Sequence, residues 1–312
     1  MRAIIIGHSG QDGTLLCESL EEKGCELIGI SRSSITTIPY RNIEEIPRVD
    51  DAKAIELLIK DFQPTEIYYL AAYHASSEVS DIDNIRESFI NAEQTHVIGL
   101  LNVLCAVRDS SPSCKIFYAS SSLVFSGEDG ELQNEKTPLS PSCFYGVTKA
   151  QAMWLCDEFR NKYGIFVSVG ILYNHESYLR PPHFLTQKII KSAIRISNGS
   201  DEKLTVGNLS ARVDWSYARD FIEAFQLILA LDESKSFVIA SNEAHTVQEF
   251  IEVAFEYFNL DWTQYVNEDN SILIRKPLVK IGDSSKLTSE TGWKKTYNFH
   301  ELVKQLIIDS NI

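Results

Sequence analysis

Arg2-Ala3-Ile4-Ile5-Ile6 runs without interruption into Gly7-His8-Ser9-Gly10-Gln11-Asp12-Gly13. A short apolar run that stops at a glycine reads as a buried parallel strand. Beyond it, Leu15, Leu16 and Leu20 recur at helical spacing through residues 11–23, and Gly24 closes the helix. The three glycines permit a tight turn, let the backbone approach a pyrophosphate and let the helix pack closely on the strand. The helix N-terminus then faces the phosphates with unpaired N–H groups and the positive end of its dipole. Such a turn is a weak signal by itself, but its place between the first strand and the first helix points to a dinucleotide.

The same grammar continues downstream. Residues 25–30, 66–72, 115–119 and 165–172 read as strands, and residues 51–62, 84–108 and 144–163 as the helices between them. Alternating strands and helices imply βαβ units and an α/β, doubly wound parallel sheet. After Tyr173 the pattern loosens. Helical stretches at 184–197, 218–231, 246–258 and 299–308 are separated by short strands and turns, which suggests a smaller, partly interleaved C-terminal substrate lobe. The expected division gives residues 1–173, with about 210–240, to a dinucleotide-binding domain, and about 174–209 and 241–312 to the lobe.

Composition excludes several classes. A chain of 312 residues with 44% hydrophobic and 23% charged side chains is ordinary globular material, not a disordered or fibrous one. A formal net charge of −14 argues against nucleic acid or an anionic membrane as partner, since both need a basic face. No run approaches the roughly 18 apolar residues of a membrane span. The N-terminal apolar run is too short for a signal peptide. The six cysteines are scattered without a CxxC pair, so reduced thiols in a cytoplasmic protein are expected. The histidines show no metal-ligand spacing, and no metal is assigned.

Cofactor choice turns on the end of the second strand. Gly29-Ile30-Ser31-Arg32-Ser33-Ser34 holds no carboxylate for the ribose hydroxyls of NAD. Arg32 and its serines could hold the extra phosphate of NADP, or Arg32 could lie along the adenine, so NAD or NADP stays open. Ser120-Ser121-Ser122 follows the 115–119 strand, at the carboxyl edge where open α/β sheets bind ligands. Tyr145 and Lys149 stand four apart on one helix face. An ammonium and an oxidised nicotinamide both favour phenolate, which would make Tyr145 a base for a carbinol whose hydride leaves.

With these residues in place the chain resembles the extended short-chain dehydrogenase/reductases, and among them the GDP-mannose 4,6-dehydratase branch. The resemblance runs through 7–13, Pro64-Thr65-Glu66-Ile67-Tyr68-Tyr69-Leu70-Ala71-Ala72, Tyr145/Lys149 and Gly170-Ile171-Leu172-Tyr173-Asn174-His175-Glu176-Ser177. It continues through Gly207-Asn208-Leu209, Asp214-Trp215, Arg275-Lys276-Pro277 and Thr291-Gly292-Trp293-Lys294. It implies a Rossmann-type domain, a bound nicotinamide cofactor and a GDP-linked sugar. The implied catalytic set is Ser121, Tyr145 and Lys149. The implied cofactor contacts are Gly7, Gly10, Gln11, Asp12, Gly13, Arg32, Leu70, Ala71, Ala72 and Leu172, with Tyr145 and Lys149. The implied substrate contacts are Ser122, Asn174, Glu176, Lys188, Asn208, Arg212 and Arg275. Family members commonly pair as homodimers through the two long helices, and some form homotetramers. An acidic exterior around a local cationic pocket is expected, built from the first helix N-terminus and Arg32, Lys149, Lys188, Arg212 and Arg275.

One departure is chemical. The dehydratases end the motif after this strand with a glutamate; here it reads Ser120-Ser121-Ser122-Leu123, and Leu123 cannot transfer a proton. That glutamate removes the C5 proton after C4 is oxidised, and general-base help is worth roughly 10²–10⁴ in rate. The expectation is therefore oxidation or reduction at C4 of GDP-mannose or a GDP-manno-heptose without dehydration. Alternatives are a 4,6-dehydratase with a relocated base (Glu78, His74, Glu128 or His175), a 4-epimerase, or a non-catalytic nucleotide sensor. Arg48 also stands about where the family carries an Asp that reads the adenine.

Overall fold

A computed structural model describes residues 1–31, 35–38, 48–73, 84–126, 132–272 and 279–310. The first strands are β1 (Arg2–Ile6), β2 (Glu26–Ile30), β3 (Ile35–Ile38), β4 (Glu66–Tyr69) and β5 (Lys115–Ala119). Short β6 (Leu132–Gln133) precedes β7 (Val167–Leu172), β8 (Asn174–Glu176), β9 (Leu204–Val206), β10 (Arg212–Val213) and β11 (Trp215–Tyr217). Last come β12 (Ser236–Ile239), β13 (His245–Thr246), β14 (Val266–Glu268) and β15 (Ile281–Gly282). The helices are α1 (Gln11–Glu22), α2 (Ala52–Phe62), α3 (Ile85–Glu93), α4 (Gly99–Ser110), α5 (Phe144–Tyr163) and α6 (Leu185–Ser197). They are followed by α7 (Ala218–Ala230), α8 (Val247–Glu256), α9 (Ser285–Thr291) and α10 (Phe299–Ser310).

Seven strands form the central sheet in the order β12-β7-β5-β4-β1-β2-β3. The chain moves outward from β1 in one direction through β2, then crosses back to β4 on the other side. The carboxyl edge between β1 and β4 is therefore the switch point at which a doubly wound sheet opens a crevice. β1, β4, β5 and β7 are buried on both faces, which is why they read as apolar runs rather than alternating ones. The sheet is parallel except at one edge. β3 closes the edge antiparallel to β2, with Ile30 opposite Ile35, since the four residues between them are too few for a crossover helix.

Local signals set the helix limits. Asp51 accepts from Ala54 N–H at the start of α2, and Thr246 with Glu249 forms a capping box on α8. Gly164, at φ +66°, ends α5. The helical stretch foreseen at 84–108 is not one regular helix: residues Gln94–Ile98 form a π turn between α3 and α4. The short helix α9 had no recognised signal.

Three apolar cores result. Ile55, Leu104, Tyr118 and Phe159 fill the sheet face covered by α2, α4 and α5. Leu16, Phe117, Phe225 and Phe237 fill the face under α1 and α7, joined by Leu287 and Trp293 from the α9 region. Ile190, Phe250, Phe299 and Leu306 knit α6, α8 and α10 into the third. Strand β8, directly after the sheet's β7, pairs in parallel with β11 and carries the chain from the sheet toward this third core. No helix among the described residues is long and apolar enough to cross a membrane.

The turn after β1 is held by direct backbone contact. Gly7 adopts φ +97° and its N–H donates to Ile30 O at 2.7 Å. A Cβ on Gly13 would stand 2.3 Å from the Gly7 carbonyl oxygen and 2.5 Å from His8 Cα. Gly13→Ala must therefore push α1 off the turn. The expected cost is about 1–3 kcal/mol, read as a lowered unfolding midpoint in urea, together with loss of dinucleotide binding by titration.

Candidate active site

The glycine turn fits a dinucleotide. Gly10 caps α1 without any side-chain bond, so the helix N-terminus keeps its backbone donors. A Cβ on Gly10 would meet only the Gly7 carbonyl, at 3.4 Å, which leaves that side of the turn open to a phosphate. The opposite side is closed, since a Cβ on Gly7 would lie 2.7 Å from Ala71 N. Leu70, Ala71 and Ala72 thus run along the turn at the switch point, with Leu70 N–H donating to Ile6 O at 2.8 Å. Leu172 ends β7 on the same carboxyl edge of the sheet.

Gln11 and Asp12 spend their side chains inside the protein. Gln11 Nε2 donates to His175 O at 3.0 Å, and Ser177 Oγ donates to Gln11 Oε1 at 2.9 Å. His175 Nε2 lies 3.0 Å from both Asp12 oxygens, and its Nδ1 donates to Tyr173 O at 2.7 Å. What these two residues can offer a cofactor is backbone N–H; their side chains tie the turn to the Asn174–Ser177 segment. Burial opposes the charge on both partners. It is outweighed by their ion pair and hydrogen bonds, so Asp12 is held below 3.8 and His175 above 6.5.

Tyr145 and Lys149 lie near the start of α5, and Gly146 brings that helix against the turn after β5. A Cβ on Gly146 would stand 2.2 Å from Leu123 O, so the Ser122–Val124 turn sits beside Tyr145. Ser121 precedes this turn and its Oγ accepts from Leu123 N–H at 3.2 Å. Lys280, which drew no attention in the sequence, donates to Phe125 O at 2.7 Å and Ser122 O at 3.2 Å, clamping the turn that carries Leu123. Lys149 is buried, donates to Ala119 O at 2.7 Å and lies 5.7 Å from the centroid of the Tyr145 ring.

The resting electrostatics differ from the simple expectation for a Tyr/Lys pair. Burial pushes the Tyr145 hydroxyl above its ordinary value, with Arg180 acting against it. Burial pushes Lys149 down to about 7. Desolvation disfavours both charged forms, so without a ligand the pair rests near neutrality. Arg180 is a cation that the sequence reading overlooked. Its Nε stands 3.5 Å from Glu176, four residues earlier, and that spacing was its only signal.

The implied substrate residues do not all share one cluster. Ser122 is buried in the turn beside Tyr145. Asn174 opens β8 and is exposed. Glu176 is buried; it accepts from Thr186 Oγ1 at 2.5 Å and faces Arg180, so it organises neighbouring groups. Lys188 lies on α6. Asn208 holds Ser210 through N–H and Oγ, and Arg212 donates to Ala244 O at 3.1 Å. Both precede Trp215, which pairs with Asn174 across β11 and β8. Arg32, Arg275 and the candidate bases His74, Glu78 and Glu128 lie outside the described residues. Arg48 is exposed and forms a bidentate pair with Asp50. Among the described residues no group of three or more His, Cys, Asp and Glu could hold a metal ion.

A glycine-turn crevice with a serine, a tyrosine and a lysine at the carboxyl edge of the sheet defines a nucleotide-dependent oxidoreductase scaffold. The family model for GDP-mannose 4,6 dehydratase matches residues 4–306. GDP-mannose 4,6 dehydratase 2 of Arabidopsis thaliana is 34% identical over 325 residues, covering 98% of this chain and 85% of that protein. The chain belongs to the GDP-mannose 4,6-dehydratase family. Among solved structures, the fold is similar to dTDP-glucose 4,6-dehydratase from Bacillus anthracis, solved with NAD (TM-score 0.82, 18% identity, covering 100% of this chain and 96% of that one). It is also similar to UDP-glucose 4-epimerase from Thermus thermophilus, solved with NAD (TM-score 0.79, 21% identity, covering 100% and 99%).

The Asp12–His175 pair gives the site a pH signature. The imidazolium contributes fully below its ordinary value of 6.5, and its contribution fades as pH rises through the raised folded value. The carboxylate contributes above 3.8 and fades as pH falls through the lowered folded value. Asp12→Asn should therefore cost most between those limits, about 3 kcal/mol near pH 5.5. The cost should shrink near pH 9, as measured by urea unfolding at both values.

Proposed function

We propose that this chain is an NAD(P)-dependent oxidoreductase acting at C4 of a GDP-linked sugar of manno configuration, hexose or heptose. It forms or reduces a 4-keto sugar without removing water. The observation that carries this reading is Leu123, held beside Tyr145 by the contact with Gly146 and by Lys280. A 4,6-dehydration needs a proton acceptor for C5 at that position, and an isobutyl group accepts none. His175 is a poor substitute, because both of its ring nitrogens are already bonded. Asp12 and Glu176 are likewise engaged.

The reading assigns a division of labour. Ser121 Oγ holds the sugar O4, and Tyr145 exchanges the O4 proton. Lys149 supplies positive charge on the same helix face. An oxidised nicotinamide, when bound, would supply the hydride acceptor and a positive charge that favours phenolate. Backbone N–H groups of residues 11–13, at the start of α1, would hold its pyrophosphate. The sheet with its two flanking cores would carry the dinucleotide, and the third core would carry the sugar.

A second reading, a 4,6-dehydratase with a base drawn from elsewhere in the chain, is favoured by the family match over residues 4–306. Incubation with GDP-mannose or its heptose homologue and NAD(P) separates the two. Oxidation alone accumulates reduced cofactor in step with a product two hydrogens lighter. Dehydration leaves the cofactor oxidised and removes one water. Wild-type enzyme is expected to give the first result. Tyr145→Phe should lose at least about 10²-fold in hydride transfer, and Leu123→Glu should add a dehydrated product. Water loss by the wild type overturns the reading.

The same family suggests a homodimer. Ile85 and Ile90 on α3 are 48% and 39% exposed, and Phe144 and Trp154 on α5 are 52% and 60% exposed. Phe89 and Phe144 pack edge-to-face across the two helices, 5.3 Å between centroids. We assign this apolar face to a second copy of the chain. Light scattering should give twice the monomer mass, and Trp154→Glu should shift it toward one.

A further inference from the structure

The π turn at Gln94–Ile98 has an identifiable cause. Tyr69, buried on β4, donates its hydroxyl to Thr95 O. Gly99 makes room for it, since a Cβ there would stand 2.3 Å from the Tyr69 hydroxyl. The Gly99 N–H then reaches back five residues to Gln94 O. A side chain inserted into the helical ladder produces this widening, which recurs at functional sites. The widened turn carries His96, which has no solvent exposure.

His96 is bonded at both ring nitrogens. Tyr73 N–H donates to Nε2 at 3.0 Å. A backbone amide only donates, so Nε2 is unprotonated and the proton sits on Nδ1. Nδ1–H then donates to Thr148 Oγ1 at 2.8 Å. The Thr148 hydroxyl passes its own proton toward the carbonyls of Tyr145 (3.1 Å) and Phe144 (3.2 Å). The imidazole also meets the Tyr145 ring edge-on, 5.1 Å between centroids. One ring thus spans from the loop after β4, the segment that lies against Gly7, to the helical turn that carries Tyr145 and Lys149.

We infer that His96 is a positioning residue for the Tyr145 reaction. As its neutral Nδ1–H tautomer it fixes the phenol through Thr148 and the ring contact. Through Tyr73 N–H it fixes the loop along which the dinucleotide lies. The inference rests on the reading of Tyr145 as the proton-exchanging group. Its novelty is the division between the two nitrogens: one serves cofactor binding, the other turnover. A histidine that only filled space would show no such division.

Two amide substitutions separate the nitrogens. His96→Gln places a polar atom near Nε2, and His96→Asn places one near Nδ1. His96→Gln is expected to keep cofactor Kd within about 3-fold while kcat falls about tenfold, the cost of one lost buried hydrogen bond. His96→Asn should show the reverse, with cofactor Kd about tenfold weaker and kcat within about 3-fold. Cofactor Kd is measured by titration, without turnover. In parallel, nitrogen NMR of wild-type enzyme with labelled histidine should show His96 protonated at Nδ1 and bare at Nε2. Equal losses of kcat and Kd in both variants, or an Nε2–H tautomer, overturn the inference. The tautomer alone decides it if either variant fails to fold. Tyr145→Phe is the control. If it keeps full turnover, the reading of Tyr145 fails. If it abolishes turnover and the two His96 variants do not split, only the positioning role falls.

Discussion

The backbone contact between Gly13 and Gly7 fixes where everything else in this molecule can sit. With 2.3 Å between a hypothetical Gly13 Cβ and the Gly7 carbonyl, α1 starts as close to β1 as a polypeptide allows. That start aims the helix N-terminus at the carboxyl edge of the sheet, beside the gap where strand order reverses between β1 and β4. The ends of β4, β5 and β7 deliver Ala71, Ser121 and Tyr173 to the same edge. Asp12, inside the turn, then reaches across to His175 and sets the start of the segment that leaves the sheet for the third core. One steric constraint within seven residues therefore determines the cradle, and one ion pair links it to the Asn174–Ser177 segment.

This layout reconciles an acidic chain with anionic ligands. The net charge of −14 is that of the whole chain. Near the chemistry the described charges are Lys149, Arg180 and Lys280, with Asp12 neutralised by His175 and Glu176 facing Arg180. Burial drives Lys149 down to about 7 and Lys280 down to about 8, so Lys149 is the cation whose charge an arriving anion would favour most. The resting site is thus less charged than its residue types suggest, and Tyr145 stays protonated until substrate and cofactor change its surroundings.

What the sequence made legible follows from separation along the chain. The strand, the glycine turn and the helix occupy 2–22, and Tyr145 and Lys149 lie one helical turn apart; local periodicity and motif spacing expose both. Asp12 and His175 are 163 residues apart, and His96 and Thr148 are 52 apart. No local pattern announces such pairs, and His96 looked like an unremarkable helical residue lacking a metal-ligand partner. The π turn was hidden for the same reason, since its cause is a tyrosine on a strand 26 residues earlier. β3 escaped because Ile35-Thr36-Thr37-Ile38 lacks the continuous apolar run that marked β4, and α9 because seven residues are too few for a periodic signal.

The same reasoning bears on why a leucine can replace a carboxylate here without disturbing the fold. The Ser122–Val124 turn takes its shape from backbone: Ser121 accepts Leu123 N–H, Leu123 O packs on Gly146, and Lys280 holds the carbonyls of Ser122 and Phe125. None of these contacts uses the side chain at 123. The turn that follows Ser121 and packs on Gly146 is therefore independent of the side chain at 123. On the proposed reading, exchanging that residue would change how far the reaction proceeds and leave the contacts around Ser121 and Gly146 standing. Chemistry beyond C4 is separable from the fold in this architecture, because the turn that carries it is built from main-chain atoms.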